Sequence, residues 1–172
     1  RYMGFKAGKT SGADSLKAGH SRWWEYDLDR LAGRYISNDI LAAIGRVQLK
    51  KLPVFIQRRK KIWEHYQTVF RDLPDILMPP EPLPETTSTY YLYWIKVPGK
   101  RDALAQYLKE KDIYTTFRYY PLHHVSFYGD RPHLPNAEEM NETALNIPLH
   151  QNLTDDEVNR ITESVRAFFK KD

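Results

Sequence analysis

Tyr90-Tyr91-Leu92-Tyr93-Trp94-Ile95-Lys96-Val97 is the stretch that decides the fold. It is aromatic, it carries β-branched Ile95 and Val97, and it predicts a strand buried over most of its surface. Gly99 turns the chain into a helix predicted over about 101–111, with Ala103, Leu104, Tyr107 and Leu108 inward. Residues 113–119 predict a second strand to pair with 90–97. Strand, helix and strand make a small α/β layer. Further on, 121–135 is a loop rich in histidine and aromatics, and 136–146 predicts a short helix. Thr154-Asp155-Asp156-Glu157 is a capping box, in which Thr and Glu reciprocally satisfy backbone donors. It opens a last helix whose Val158, Ile161, Val165 and Phe168 share one face and should cover the sheet.

Upstream, Pro74, Pro79, Pro80, Pro82 and Pro84 allow neither a helix nor a central strand, so 74–87 reads as a linker. That divides the chain into 1–73, the linker, and a carboxy-terminal α/β domain over 88–172. Residues 54–73 predict a helix with Ile56, Ile62, Trp63, Tyr66, Val69 and Phe70 along one face. Its cationic run, Arg58-Arg59-Lys60-Lys61, reads as a solvated face more readily than as a nucleic-acid contact. Pro53 suits the first turn of that helix better than the interior of a longer one. Two helices are therefore expected between residue 38 and residue 73.

The first of them starts inside Gly33-Arg34-Tyr35-Ile36-Ser37-Asn38-Asp39-Ile40-Leu41-Ala42-Ala43-Ile44-Gly45. Ser37, Asn38 and Asp39 are capping side chains, and Ile40, Ala43, Ile44 and Val47 recur at helical spacing. A helix start offers free N–H groups and the positive dipole end to an anion such as phosphate, with Arg34 just before it. The plainer reading is a capped helix packing its apolar face.

Composition narrows the function classes. The 172 residues are 41% hydrophobic, with 4 Trp, 12 Tyr and 7 Phe, enough for a core. With no Cys, neither a disulfide framework nor a zinc–thiolate site is possible. A net charge of +4 leans toward an anionic ligand: nucleic acid, acidic lipid or a sugar nucleotide. No apolar run approaches membrane-spanning length, no signal-peptide pattern opens the chain, and a cytoplasmic protein fits. Gly8-Lys9-Thr10 lacks the glycine spacing and the preceding strand of a phosphate-binding loop. Trp23-Trp24-Glu25-Tyr26 reads as packing or interface.

The remaining chemistry lies in Thr115-Thr116-Phe117-Arg118-Tyr119-Tyr120-Pro121-Leu122-His123-His124. A strand end delivers Arg, two Tyr and two His into a loop. Arg118 forks onto phosphate or carboxylate, while Tyr119 and His123 exchange hydrogen bonds with sugar hydroxyls or a cofactor. The alternative is an edge strand with Arg118 in a salt bridge and His123 satisfied by backbone. No metal site is expected, because adjacent residues on extended chain point apart and no third ligand has recognisable spacing.

Three separated segments, in order, resemble the DegT-type nucleotide-sugar aminotransferases. The Gly33–Gly45 stretch is similar to that family's Gly-x-Asn-Tyr-Arg-Met-Asn/Ser-Asp-Ile-x-Ala-Ala-x-Gly, departing at Arg34 and Ile36. Arg118-Tyr119-Tyr120-Pro121-Leu122-His123 is similar to its His-Tyr-x-Pro-Leu-His. Leu134-Pro135-Asn136-Ala137-Glu138 and Leu145-Asn146-Ile147-Pro148-Leu149-His150-Gln151-Asn152-Leu153-Thr154 are similar to its closing pattern. The resemblance implies the carboxy-terminal part of a fold type I aminotransferase: long helices leading into a small α/β domain with a short sheet. It implies pyridoxal 5'-phosphate as cofactor, held by Arg34, Tyr35 and Asn38 reaching across a homodimer. It places Arg118, Tyr119 and His123 on the substrate side, and a nucleotide sugar and an amino-acid donor such as glutamate as reactants. The Tyr-Thr-Thr-Phe-Arg-Tyr form looks most like the branch that aminates C4 of a 4-keto-6-deoxy sugar. In that family the Schiff-base lysine lies upstream of the segment that Arg1-Tyr2-Met3-Gly4 resembles. Lys6, Lys9 and Lys17 lack its flanking pattern, so the chain alone is expected to be inactive. A pyridoxal-dependent dehydratase of the same fold, or a non-catalytic basic module for RNA or a protein, are the competing readings.

Overall fold

The computed structural model describes residues 37–117, 119–128 and 132–170. Two compact units divide the chain, Arg1–Leu49 and Lys50–Asp172. In the first, the described residues begin helix α1 (Asp39–Phe70). Asn38 caps it: its Oδ1 accepts the Leu41 N–H at 2.9 Å, and its carbonyl accepts the Ala42 N–H at 3.0 Å.

α1 is one helix of 32 residues with Pro53 inside it, so the expected pair of helices is a single element. Proline removes one intrahelical hydrogen bond. A break would instead leave four carbonyls on one side and four N–H groups on the other without intrahelical partners. Continuing through Pro53 is the smaller loss.

The second unit builds its core around the carboxy-terminal half of α1. Ile62, Trp63, Tyr66 and Phe70 recur at helical spacing and are buried, as expected for that face. Against them stands β1 (Tyr93–Lys96), whose Tyr93 and Ile95 are fully buried while Trp94 and Lys96 are half-buried, the period-two pattern of a strand. The partner of β1 is not 113–119. It is β2 (Ala144–Ile147), antiparallel, in the register Tyr93↔Ile147 and Ile95↔Leu145. The described residues of 113–119 contribute an isolated bridge, Thr116↔Asn146. The reason is burial: all four β2 residues are buried, whereas Tyr114 and Tyr119 are exposed and, among the described residues of 113–119, only Ile113 is buried. The expected helix over 136–146 accordingly stops early, as α3 (Pro135–Thr143), and yields its last residues to the sheet.

Between the strands, α2 (Arg101–Lys109) buries Leu104 and Leu108 and half-buries Tyr107; Ala103 is exposed, contrary to expectation. The proline-rich segment docks along the sheet edge. Leu77 and Lys96 exchange backbone hydrogen bonds of 3.0 and 2.9 Å, and Gln67 donates to the Pro79 carbonyl at 2.8 Å.

The closing helix α4 (Asp155–Phe169) sends Val158, Ile161 and Val165 into the core shared with β1 and packs on α2. Its capping box is present: Thr154 Oγ1 accepts the Glu157 N–H at 3.2 Å, and the Thr154 N–H donates to Glu157 Oε2 at 2.7 Å. Thr154→Ala is expected to cost about 1 kcal/mol of stability, the usual worth of an N-cap. A denaturation midpoint identical to the parent would show the box to be idle. Arg166 forks onto Asp72 at 2.7 and 3.0 Å and donates to the Val69 carbonyl, tying α4 to the end of α1. Two members of the cationic run, Arg58 and Lys61, are likewise engaged. Arg58 donates to Asp155 and to the Leu153 carbonyl, and Lys61 lies 3.6 Å from Asp155. Arg58 beside it holds the Asp155 carboxyl below the usual carboxylate range.

Candidate functional site

Pro121 sets the local geometry. With φ at −57° it leads into a 3-10 turn, Leu122–His124, closed by the His124 N–H on the Pro121 carbonyl at 2.9 Å. A second 3-10 turn follows at Ser126–Tyr128. Because the backbone turns, His123 and His124 do not point apart as extended chain would have them. Their ring centroids lie 4.2 Å apart, and the Tyr120 ring stands 5.9 Å from His124.

Both imidazoles face one carboxylate. Glu138 Oε1 is 3.3 Å from His123 Nε2 and 3.6 Å from His124 Nε2, and Oε2 is 2.8 Å from His133 Nδ1. Glu138 lies in the first turn of α3, where Oε1 also accepts the Leu134 N–H at 2.9 Å. That backbone donor, then His123 and His133, hold the Glu138 carboxyl below the usual carboxylate range. The site therefore keeps an anion among three histidines. His123, His124 and Glu138 offer ligand atoms within 4.8 Å of one another, close enough to share a metal ion. Glu138 thus offers the third ligand atom for which the sequence showed no recognisable spacing; its Oε1 accepts the Leu134 N–H and its Oε2 faces His133.

Tyr119 is exposed. Arg34, Tyr35 and Arg118 lie outside the described residues. Asn38, in the other unit, is the cap of α1. Glu138 was passed over in reading the sequence, although it closes the Leu-Pro-x-Ala-Glu segment; its partnership with His123 joins two motifs 15 positions apart. A separate cleft of about 420 Å³ opens beside the Thr116–Asn146 bridge, lined by Tyr91, Tyr114, Asn146 and His150 among others, and shares no residue with this cluster.

Residues 12–166 match the DegT/DnrJ/EryC1/StrS aminotransferase family. The chain belongs to that family. It is 42% identical over 154 residues to the dTDP-4-dehydro-2,3,6-trideoxy-D-glucose 4-aminotransferase of Saccharopolyspora spinosa, covering 89% of this chain and 40% of that protein. Among solved structures, the aminotransferase TlmJ from Streptoalloteichus hindustanus is 42% identical, with a TM-score of 0.81 over 88% of this chain and 42% of its own. The PLP-form of the sugar aminotransferase Spr1654 from Streptococcus pneumoniae is 31% identical, with a TM-score of 0.76 over 86% of this chain and 40% of its own. The chain thus spans about two-fifths of the length of the relatives it matches. Its α/β fold is that of these aminotransferases. Among the described residues no helix is long and apolar enough to cross a membrane.

Proposed function

We propose that the protein carrying this chain is a cytoplasmic, homodimeric aminotransferase that uses pyridoxal phosphate. It moves the amino group of an amino acid such as glutamate to C4 of a nucleotide-linked 4-keto-6-deoxy sugar. The observation that carries this reading is the family match over 12–166, joined to 42% identity with a 4-aminotransferase of a dTDP-linked keto sugar. The internal pairing of Arg58 and Lys61 with Asp155 weakens the alternative of a basic nucleic-acid module, since those charges are already engaged.

The residues present fit the cofactor's phosphate. The start of α1 presents backbone N–H groups at the positive end of a 32-residue helix. Asn38 Oδ1 is committed to Leu41, which leaves its Nδ2 as the donor for an anion. Arg34 would add a formal charge to the same phosphate across the dimer. The cofactor, when bound, supplies the electron sink through which an amino group passes between amino acid and keto sugar. On the substrate side Arg118 would bind the diphosphate or the donor's carboxylate, and Tyr119 and His123 would hydrogen-bond sugar hydroxyls.

The test is steady-state kinetics on the full-length enzyme with the sugar nucleotide and the amino-acid donor each varied in turn. Losing a charge-assisted contact is worth about 1.5–3 kcal/mol, so Arg118→Ala should raise KM at least about tenfold while kcat changes little. An unchanged KM for both substrates would remove Arg118 from the site.

A further inference from the structure

We propose that Glu138 is a positioning residue for His123, fixing the orientation and tautomer in which that imidazole meets the sugar nucleotide. The proposal rests on the reading that His123 faces substrate.

The argument begins with the carboxylate itself. Its own helix holds Glu138 before any histidine does: Oε1 takes the Leu134 N–H at the start of α3. A carboxylate fixed in this way is an acceptor of set position. His123 Nε2 lies 3.3 Å from it, and the His123 side chain is only 8% exposed, so the ring has little freedom to turn away. An ionised carboxylate cannot donate, so the imidazole must present Nε2–H toward it. In the neutral ring the proton then sits on Nε2, and Nδ1 is left as the acceptor for a ligand hydroxyl. The second oxygen is occupied by His133, which is exposed, and His124 shares the first. The loop that carries Tyr119 to His124 is thereby pinned to α3 through side chains.

The experiment uses the full-length enzyme and a double-mutant cycle. Glu138→Ala should raise KM for the sugar nucleotide about tenfold with kcat within about twofold, the loss of one oriented hydrogen bond between the ring and a substrate hydroxyl. Glu138→Gln, which keeps an acceptor oxygen for both His123 and Leu134, should restore KM to within about threefold of the parent. In a His123→Ala background, Glu138→Ala should add nothing to KM, because its effect runs through the missing ring. Additive effects in that background, or failure of Glu138→Gln to rescue, would overturn the proposal and leave Glu138 with a structural role in α3. A raised KM in His123→Ala with a normal one in Glu138→Ala would overturn it while sparing the reading of His123. A normal KM in His123→Ala would overturn that reading, and the proposal with it.

Discussion

Tyr93→Ala is expected to cost about 3–5 kcal/mol of stability, the range for removing a large buried aromatic ring. Tyr93 is fully buried on β1, and its ring lies 5.0 Å from Tyr66, 5.9 Å from Trp63 and 6.3 Å from Phe70. It is the point at which the long helix meets the sheet. A loss of this size consumes much of the total stability of an ordinary domain, so the variant should unfold at a far lower denaturant concentration than the parent. The hydroxyl is a different matter. Among the described residues Tyr93 Oη has no hydrogen-bond partner, whereas Tyr66 Oη donates to the Pro148 carbonyl at 2.8 Å. Tyr66→Phe should therefore cost about 1 kcal/mol, and Tyr93→Phe should be neutral or stabilising, since it removes a buried polar group that nothing satisfies. Equal losses in the two Phe variants would mean that Tyr93 Oη is satisfied after all.

The second large effect is expected at the cofactor. If Arg34 reaches the phosphate bound by its partner subunit, Arg34→Ala in the full-length enzyme loses a charge-assisted contact and should weaken cofactor retention at least about tenfold. The readout is the fraction of pyridoxal phosphate kept through dialysis, compared with Arg118→Ala, which should keep its cofactor and fail on KM instead. Parent-like retention in Arg34→Ala would place Arg34 among ordinary surface charges.

The sequence showed most clearly those features whose causes are local. Thr154 and Glu157 are three residues apart, and their capping box is formed as read. The buried faces of the carboxy-terminal half of α1 and of α4 followed from helical spacing at Ile62, Tyr66 and Phe70 and at Val158, Ile161 and Val165, whereas Ile40, Ile44 and Val47, at the same spacing in the first half of α1, are exposed. Strand pairing was not legible, because the choice of partner for β1 depends on residues about fifty positions away. Ala144-Leu145-Asn146-Ile147 directly follows a helix and has no alternation to mark it, since a strand buried at every position shows none. Pro53 misled for a different reason: propensity counts the bond that proline removes but not the eight groups that a break would strand. In the site, the histidines were visible as a pair, yet their convergence depends on the 3-10 turn after Pro121 and on Glu138 from another element. The family's own Leu-Pro-x-Ala-Glu segment held that glutamate in plain view, and pairing it with the Tyr-x-Pro-Leu-His segment was the signal to use.

The most direct test of the central claim follows the nitrogen. The full-length enzyme is incubated with pyridoxal phosphate, a nucleotide-linked 4-keto-6-deoxy sugar, and glutamate carrying a heavy isotope in its amino group. Mass spectrometry then reads the sugar nucleotide. The account predicts a 4-amino sugar carrying the heavy nitrogen, with one 2-oxoglutarate formed for each sugar aminated. A sugar that loses a hydroxyl without gaining the label would mark a dehydratase, and an unchanged sugar would contradict the assignment of a keto-sugar aminotransferase.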